Sequence, residues 1–265
     1  MKKIIYQVDA FTKEAFKGNP AGVMILNENL NPKLMQDIAN EMNLSETAFV
    51  NISEKPFEIR YFTPTTEIPL CGHATLASAH ILYENNIIAE NEIIQFKAKG
   101  GDLEITKNTN GIKMVFPKYE INKIDNIENF EKIIGFTPID TYSSENNWII
   151  AISKTENEIK QAKPVFNEMG KNGLGHLMIT SLSERENIDF VVRCFAPISG
   201  INEDPVTGSA QCALVPVWNL RTENNEFKVE QISERTGQLN VKLVDNQVEI
   251  IGNAITIFKA EINIR

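Results

Sequence analysis

The chain is poor in cysteine, and its cysteines form no recognisable framework. Its 265 residues include three, Cys71, Cys194 and Cys212, an odd and unclustered set that fits neither a disulfide framework nor a zinc-finger spacing. The histidines lack the His-x-x-x-His spacing that is typical of metal sites. We therefore expect reduced thiols, a cytoplasmic location and no bound metal.

The chain also lacks long hydrophobic runs and an excess of positive charge. No segment approaches the roughly 18 continuous apolar residues that a membrane span needs, and the apolar run at the N-terminus is too short for a signal peptide. The 26 Lys and Arg residues against 35 Asp and Glu give a formal net charge of −9, with no basic stripe to neutralise phosphates. An apolar content of 42% is typical of a globular protein. We expect neither a membrane nor a nucleic acid as partner.

What the chain does contain is an internal repeat. The first copy starts at Phe62 and reads Phe-Thr-Pro-Thr-Thr-Glu-Ile-Pro-Leu-Cys-Gly-His-Ala. The second starts at Phe195 and reads Phe-Ala-Pro-Ile-Ser-Gly-Ile-Asn-Glu-Asp-Pro-Val-Thr-Gly-Ser-Ala. Both end at the head of an Ala-rich segment, where glycine lets a ligand approach bare backbone N–H groups and a helix start favours negative charge. The repeat therefore predicts two helix N-termini that converge on one anion.

The periodicity of apolar residues predicts an α+β protein with two similar lobes. Gly100, Gly101 and Pro117 mark the boundary, so we place the lobes at 1–117 and 118–265, with the last strand a candidate to pack on the first lobe. Predicted helices lie after the cap formed by Asn31 and Pro32 and at 75–83, 129–134, 163–171 and 210–220. Predicted strands lie at 3–8, 21–26, 47–52, 57–62, 92–98, 102–106, 112–116, 148–152, 176–180, 189–195, 227–231, 240–243, 247–251 and 254–264. The helix at 75–83 is apolar on nearly every face, which predicts that it is buried and surrounded by sheet.

Several separated motifs resemble those of the PhzF family of phenazine-biosynthesis-like isomerases, in the right order along almost the whole chain. They start at Val8 (Val-Asp-Ala-Phe-Thr), Gly18 (Gly-Asn-Pro-Ala), Asn43 (Asn-Leu-Ser-Glu-Thr-Ala-Phe-Val), Leu70 (Leu-Cys-Gly-His-Ala-Thr) and Glu203 (Glu-Asp-Pro-Val-Thr-Gly-Ser). The resemblance weakens at 122–145 and at 237–240, where Gly-Gln-Leu-Asn replaces the family's more usual Gly-Arg-Pro-Ser. It implies the diaminopimelate-epimerase-like fold, in which each lobe is a sheet curled around a central helix and the active site lies between the lobes. It also implies an isomerase that needs no cofactor and a homodimer as the assembly.

Three residues are candidates for catalysis. Taken alone, Glu46 at a strand start reads as solvated, Asp204 as a turn residue before proline, and His73 as a structural residue at a helix start. The resemblance implies instead that Glu46 carries the proton, that Asp204 orients the substrate or assists the transfer, and that His73 bonds the substrate or shares in the transfer. Partial burial of Glu46 would raise its pKa toward the working pH. Glu203 is expected to be solvated.

Four further residues are candidates for substrate binding. Gly72, Gly208 and Ser209 would supply backbone N–H groups, and Ser209 also a hydroxyl, to a substrate carboxylate. Helix capping is an alternative role for Ser209. Asn19 would line the cleft, although turn formation explains its position equally well.

The cysteines bear on which reaction is catalysed. Related cofactor-independent racemases and epimerases pass a proton between two cysteines at the helix N-termini. Cys71 occupies the first of these positions, but Thr207 stands at the second and cannot act as a thiol. We interpret Cys194 and Cys212 as core packing. The thiol pair is therefore broken, which disfavours a two-thiol epimerase.

These observations predict a PhzF-like isomerase that moves a proton within a small carboxylate-bearing metabolite. Two alternatives stay open at this point. One is an amino-acid-type epimerase or racemase that uses carboxylates in place of the thiol pair. The other is a non-catalytic protein that binds a small ligand, although a carboxylate binder would gain little from keeping both acidic residues.

Overall fold

The computed structural model describes residues 2–264, apart from the side chain of residue 146. The chain divides into two compact units: unit 1 contains the residues up to Val115 and those from Ile251 onward, and unit 2 contains Phe116–Ile250. This division differs from the sequence-based one at 117 chiefly in the last fifteen residues. They belong to unit 1 because the final strand pairs antiparallel with the first, with Ile5 opposite Ala260.

Unit 1 is built on a mixed sheet. Its strands are β1 (Lys2–Ala10), β2 (Asn19–Leu26), β3 (Glu46–Asn51), β4 (Phe57–Phe62), β5 (Glu67–Ile68), β6 (Ile94–Ala98), β7 (Gly101–Asn108), β8 (Gly111–Pro117) and β18 (Ala254–Asn263), and its helices are α1 (Pro32–Met42) and α2 (Gly72–Glu84). The order along the sheet is β18, β1, β2, β3, β4, β6, β7, β8, with β5 paired to β4. Two neighbouring pairs are parallel, β2 with β3 and β4 with β6. Each parallel step is bridged by one helix, α1 and α2 respectively, as a parallel crossover requires.

Helix α2 is the buried centre of unit 1. Every residue from His73 to Tyr83 is buried except His80, and the helix contacts β1, β2, β3 and β18. Small and apolar side chains around its whole circumference allow strands to pack on several sides at once. The predicted burial of this helix is confirmed. The predicted cap of α1 is also confirmed, since the Asn31 side chain accepts a bond from the Lys33 N–H and Pro32 begins the helix.

Unit 2 repeats the same pattern of pairing. Its strands are β9 (Ile121–Ile124), β10 (Asp140–Ser144), β11 (Ile149–Ile152), β12 (Leu177–Leu182), β13 (Phe190–Ala196), β14 (Ile201–Asp204), β15 (Glu226–Gln231), β16 (Gly237–Val244) and β17 (Gln247–Gly252), and its helices are α3 (Phe130–Ile134), α4 (Glu156–Gln161), α5 (Phe166–Met169) and α6 (Gln211–Thr222). The order is β9, β10, β11, β12, β13, β15, β16, with β14 paired to β13. The parallel pairs, β11 with β12 and β13 with β15, again enclose helices. The repeat seen in the sequence thus extends to the connectivity of each unit.

Helix α6 holds the position in unit 2 that α2 holds in unit 1. It contacts both β9 and β16, which lie at opposite ends of the strand order, so the sheet curls around it. Pro216 lies inside the helix and has no N–H to give to the carbonyl of Cys212. That carbonyl accepts a bond of 2.8 Å from the N–H of Tyr119 instead.

The predicted fold class is therefore confirmed: an α+β protein with two similar units, each a curled sheet around a central helix. Five of the labelled elements were not predicted, namely β5, β9, β10, β14 and α4. Strand β9 was missed because two of its four residues are exposed and its apolar pattern is weak. Within residues 2–264, none of the helices has the length and apolar character needed to cross a bilayer.

Candidate active site

The candidate catalytic residues of unit 1 lie at the start of a strand and the start of a helix. Glu46 is the first residue of β3, which is parallel to β2 and antiparallel to β4. His73 is the second residue of α2. Both are buried, with 9% and 7% of their surfaces exposed. The His73 Nε2 atom lies 3.1 Å from Glu46 Oε2, so the predicted partial burial of Glu46 is confirmed and two predicted residues are in contact.

The neighbours of His73 shift its pKa. Burial alone would lower the pKa of His73, whereas its interactions with Cys71 and Glu46 raise that pKa well above its usual value. Burial also raises the pKa of Cys71, with a further contribution from Glu46. Glu46 is the acidic group whose oxygen lies 3.1 Å from the ring, and a protonated His73 would donate its Nε2–H to it.

Cys71 contacts the histidine as well, which the sequence did not indicate. Its Sγ atom lies 3.5 Å from His73 Nδ1 and 3.9 Å from Nε2. Both distances are within reach of a hydrogen bond to sulfur, whose direction depends on the tautomer of the ring. The thiol is therefore a second partner of the His73 ring beside Glu46.

The same three side chains are the one group of donor atoms in residues 2–264 that satisfies the distances of a metal site. One atom from each of Glu46, Cys71 and His73 lies within 4.8 Å of the other two. An imidazole in contact with a carboxylate also suits proton transfer, so the same side chains have the chemistry of an acid–base pair and the spacing of a metal site.

The candidate binding residues of unit 1 flank this pair. Gly72 is the first residue of α2 and is partly exposed, so its backbone can be approached by a ligand. Asn19 is the first residue of β2, opposite Ala10 of β1, and is fully buried. The turn before it depends on Gly18, whose φ is +69° and where an added Cβ would lie 2.1 Å from the Ala10 carbonyl oxygen. The glycine therefore explains the turn, and a binding role for Asn19 stays a prediction.

The candidate residues of unit 2 lie from the last residue of β14 to the turn before α6. Asp204 is the last residue of β14, and its Oδ2 atom accepts a hydrogen bond of 2.5 Å from the hydroxyl of Thr207. Thr207 is held in turn by Gln231, the last residue of β15, whose Oε1 accepts from the Thr207 N–H at 2.9 Å. The sequence singled out Asp204 but gave no signal for Gln231, because the contact depends on the parallel pairing of β13 and β15.

The expectation that Glu203 is solvated is wrong. Strands β13 and β14 pair antiparallel with Cys194 opposite Asp204, so Arg193 and Glu203 are diagonal neighbours across the pair, within reach of each other's long side chains. Arg193 Nε and Nη2 donate to the two carboxylate oxygens of Glu203 at 2.8 and 2.9 Å. This two-point ion pair engages both oxygens of the Glu203 carboxylate. Asp204 is then the acidic residue of this loop that faces Thr207.

The start of α6 differs from that of α2. The backbone winds through a tighter turn, with bonds from Gln211 N–H to Gly208 and from Cys212 N–H to Ser209, before the regular helix begins. Ser209 is exposed, and no side chain caps this helix start. In the described part of the chain, the Ser209 side chain therefore does not cap α6, which was its alternative role. The convergence of the two helix starts on one anion stays a prediction.

The pattern of motifs on this fold is that of a known family. The family model described as phenazine biosynthesis-like protein matches residues 8–260. This chain belongs to that family. A relative from Halalkalibacterium halodurans, named as an uncharacterized isomerase, is 42% identical over 97% of both chains. Another uncharacterized isomerase, from Pseudomonas aeruginosa, is 36% identical over the full length of both. The chain shares the enzyme class of these relatives and is an isomerase.

Solved structures of the family have the same fold. A phenazine biosynthesis protein of the PhzF family from Enterococcus faecalis superposes with a TM-score of 0.94 at 35% identity and covers all of both chains. A probable proline racemase from Agrobacterium radiobacter superposes with a TM-score of 0.68 at 9% identity, over 99% of this chain and 93% of the other. The second likeness shows the fold alone: PhzF proteins and racemases share the curled sheets around central helices.

Proposed function

We propose that this chain is a cofactor-independent isomerase that moves a proton within a small metabolite carrying a carboxylate. The observation that supports this most strongly is the buried pair of His73 and Glu46, 3.1 Å apart. A carboxylate next to a protonated imidazole offers a proton acceptor and a proton donor side by side. That combination suits a reaction in which a proton leaves one atom and returns to another.

In the proposed reaction Glu46 acts first as a base. Its carboxylate takes a proton from a carbon of the substrate, and the electron pair of that C–H bond stays on the substrate as an enolate-like system. The protonated Glu46 then returns the proton to a different atom of the same system, which restores the carboxylate. His73, which donates its Nε2–H to Glu46, stabilises the ionised form of the carboxylate between turnovers. The substrate and product have the same composition, as an isomerisation requires.

The remaining candidates would bind the substrate. The partly exposed backbone at Gly72, and the turn at Gly208 and Ser209, would donate N–H groups to negative charge on the substrate. We assign Asp204 to an amino or hydroxyl group of the substrate, because a fixed carboxylate oxygen accepts such donors. Well-placed N–H donors of this kind contribute roughly 3–4 kcal/mol to stabilising a developing negative charge.

The test is an exchange experiment in D₂O. The wild-type protein is incubated with pools of small carboxylate metabolites and no added cofactor, and carbon-bound deuterium is located by mass spectrometry and NMR. A deuterium at the carbon that gains the proton, together with a shifted double bond, identifies an isomerase. Exchange at a single stereocentre with inversion identifies an epimerase instead. Binding without any exchange identifies a non-catalytic protein and contradicts the proposal.

A further inference from the structure

The Gln231 side chain forms four hydrogen bonds, three of them with the loop that carries Asp204. Gln231 is the last residue of β15 and is fully buried. Its Nε2 atom donates to the Asp204 carbonyl oxygen at 2.6 Å and to Thr207 Oγ1 at 3.3 Å. Its Oε1 atom accepts from the Thr207 N–H at 2.9 Å and from the thiol of Cys194 at 3.6 Å. The amide nitrogen of Gln231 therefore bonds both Asp204 and Thr207, the two ends of the 204–207 loop, and its oxygen bonds Thr207 as well.

The orientation of this amide is fixed by the backbone. A peptide N–H can only donate and a peptide carbonyl can only accept. The Gln231 oxygen must therefore face the N–H of Thr207, and the Gln231 nitrogen must face the carbonyl of Asp204. The nitrogen is then also the atom that faces the Thr207 hydroxyl.

This orientation fixes the direction of the next bond. Because the Thr207 oxygen accepts from Gln231, its own hydrogen is left to donate, and Asp204 Oδ2, 2.5 Å away, accepts it. Ser233 lies two residues after the end of β15 and supports the same loop. Its hydroxyl donates to the carbonyl of Pro205 at 2.7 Å.

We propose that Gln231 and Thr207 are positioning residues that form a one-way hydrogen-bond relay and hold Asp204 as an oriented acceptor for the substrate. The inference rests on the proposed function for the role of Asp204, while the relay itself is a property of unit 2. It also gives Thr207 a role: the position that carries a thiol in related racemases carries here a hydroxyl that serves the neighbouring carboxylate.

The relay is tested first without any substrate. Gln231→Leu removes both ends of the amide, and we expect the Thr207 amide to exchange with D₂O about tenfold faster, as for the loss of one buried hydrogen bond. The amide of Ile232 is the internal control, because it bonds the Val192 carbonyl independently and must stay protected. In Thr207→Val the ¹³C shift of the Asp204 carboxyl should move, and in Thr207→Ser it should not. An unchanged Thr207 amide with an unchanged Asp204 shift would overturn the relay.

The second arm measures turnover on the substrate found by the exchange experiment. We expect Thr207→Val to lower kcat/KM by about ten- to a hundredfold, the range for one hydrogen bond to a charged group, and Thr207→Ser to stay within about threefold. In an Asp204→Asn background Thr207→Val should cost nothing further, because the relay has lost its end point. Additive losses would show that Thr207 acts elsewhere and would overturn the positioning role. Failure of the proposed function is distinguishable from failure of the relay. In that case Glu46→Gln would retain turnover, while the amide-exchange results for Gln231→Leu would still be as expected.

Discussion

The Nε2 atom of His73 lies 3.1 Å from Oε2 of Glu46, and both side chains are buried. Burial makes an isolated charge costly, so two opposite charges in contact stabilise each other far more than they would at the surface. The strand that begins at Glu46 and the helix that begins beside His73 are packed together within unit 1. The pair is therefore part of the architecture of that unit, and a substitution at either residue changes the state of the other.

Glu46→Gln should abolish nearly all turnover while the protein still folds and binds its ligand. Glutamine keeps the size and most of the hydrogen bonding but cannot accept a proton. A positioned general base contributes roughly 10²–10⁴-fold, and we expect a loss at the upper end or beyond for a proton taken from carbon. Rates on the substrate found by D₂O exchange are the measurement, and Glu54→Gln, an exposed carboxylate in the same unit, is the control. Turnover within a few-fold of wild type would make Asp204 the proton carrier instead.

Because of the His73–Glu46 pair, the folded protein should lose stability as the pH rises into the alkaline range. The pKa of His73 is raised above its usual 6.5 in the folded protein. A raised pKa stabilises the fold fully below the unfolded value, and that stabilisation is lost as the pH rises through the folded value. Urea unfolding of the wild type should therefore show a falling midpoint on the alkaline side, and His73→Gln should show a smaller fall. Equal falls in both proteins would mean that the histidine is neutral in the fold.

Local patterns were sufficient to predict much of this structure. The burial of α2 followed from its apolar circumference, and the repeated loops predicted two similar units. Helix α4 also had a local signal that was not used, because Thr155 and Glu158 form a capping box at its start. By contrast, the ion pair of Glu203 with Arg193 depends on the register of two strands, which no local pattern determines.

The contacts around the candidate residues of each unit were beyond prediction for the same reason. Gln231 reaches Thr207 only because β15 lies parallel to β13, and Cys71 contacts His73 through the geometry of the first turn of α2. Sequence motifs placed Glu46 and His73 in one family pattern, and the structure supplied the distance between them. Motifs identify the chemical groups, while tertiary packing decides which of them meet.

Cys71→Ser should retain most activity. The Cys71 sulfur lies nearest to Nδ1 of His73, whereas the bond to Glu46 is made by Nε2, so a hydroxyl at position 71 leaves the histidine's bond to Glu46 intact. The pKa of the thiol is raised by burial, which also makes alkylation slow near neutral pH. We expect turnover within about tenfold of wild type, a change of one hydrogen bond or less. A folded Cys71→Ser protein that binds ligand but does not turn over would support a thiol-based epimerase.

Asp204→Asn should impair both binding and turnover. The carboxylate accepts the hydroxyl of Thr207, and an asparagine amide could present its nitrogen to that hydroxyl and weaken the loop. Because we assign Asp204 to orienting the substrate, KM should rise and kcat should fall together, each by about tenfold for one charge-assisted bond. Steady-state kinetics beside Glu203→Gln, whose carboxylate is engaged by Arg193, separates the two acidic neighbours. A purely lowered kcat would assign Asp204 to the chemical step.

Glu156→Gln should destabilise unit 2 and make the protein less sensitive to acid. Glu156 is buried and pairs with Lys160 at 2.7 Å and Arg185 at 3.3 Å, while the Ser183 hydroxyl and the Glu184 N–H donate to it at 2.9 and 3.1 Å. Burial alone would raise the pKa of Glu156, but these partners lower it to about 2. Losing charge-assisted bonds of this kind costs about 1–3 kcal/mol. Urea unfolding near neutral pH measures the loss.

The pH dependence of that loss is the sharper test. A lowered pKa stabilises the fold above the unfolded value of 4.5 and loses this stabilisation as the pH falls toward about 2. The difference in unfolding free energy between wild type and Glu156→Gln should therefore shrink through this window. Glu168→Gln, which breaks a half-exposed pair with Lys171 in the same unit, should change stability by less than about 1 kcal/mol at every pH. At low pH the protonated carboxyl of Glu156 and the amide of the glutamine variant are both neutral. A difference in unfolding free energy that persists unchanged there would show that Glu156 contributes by packing and not by charge.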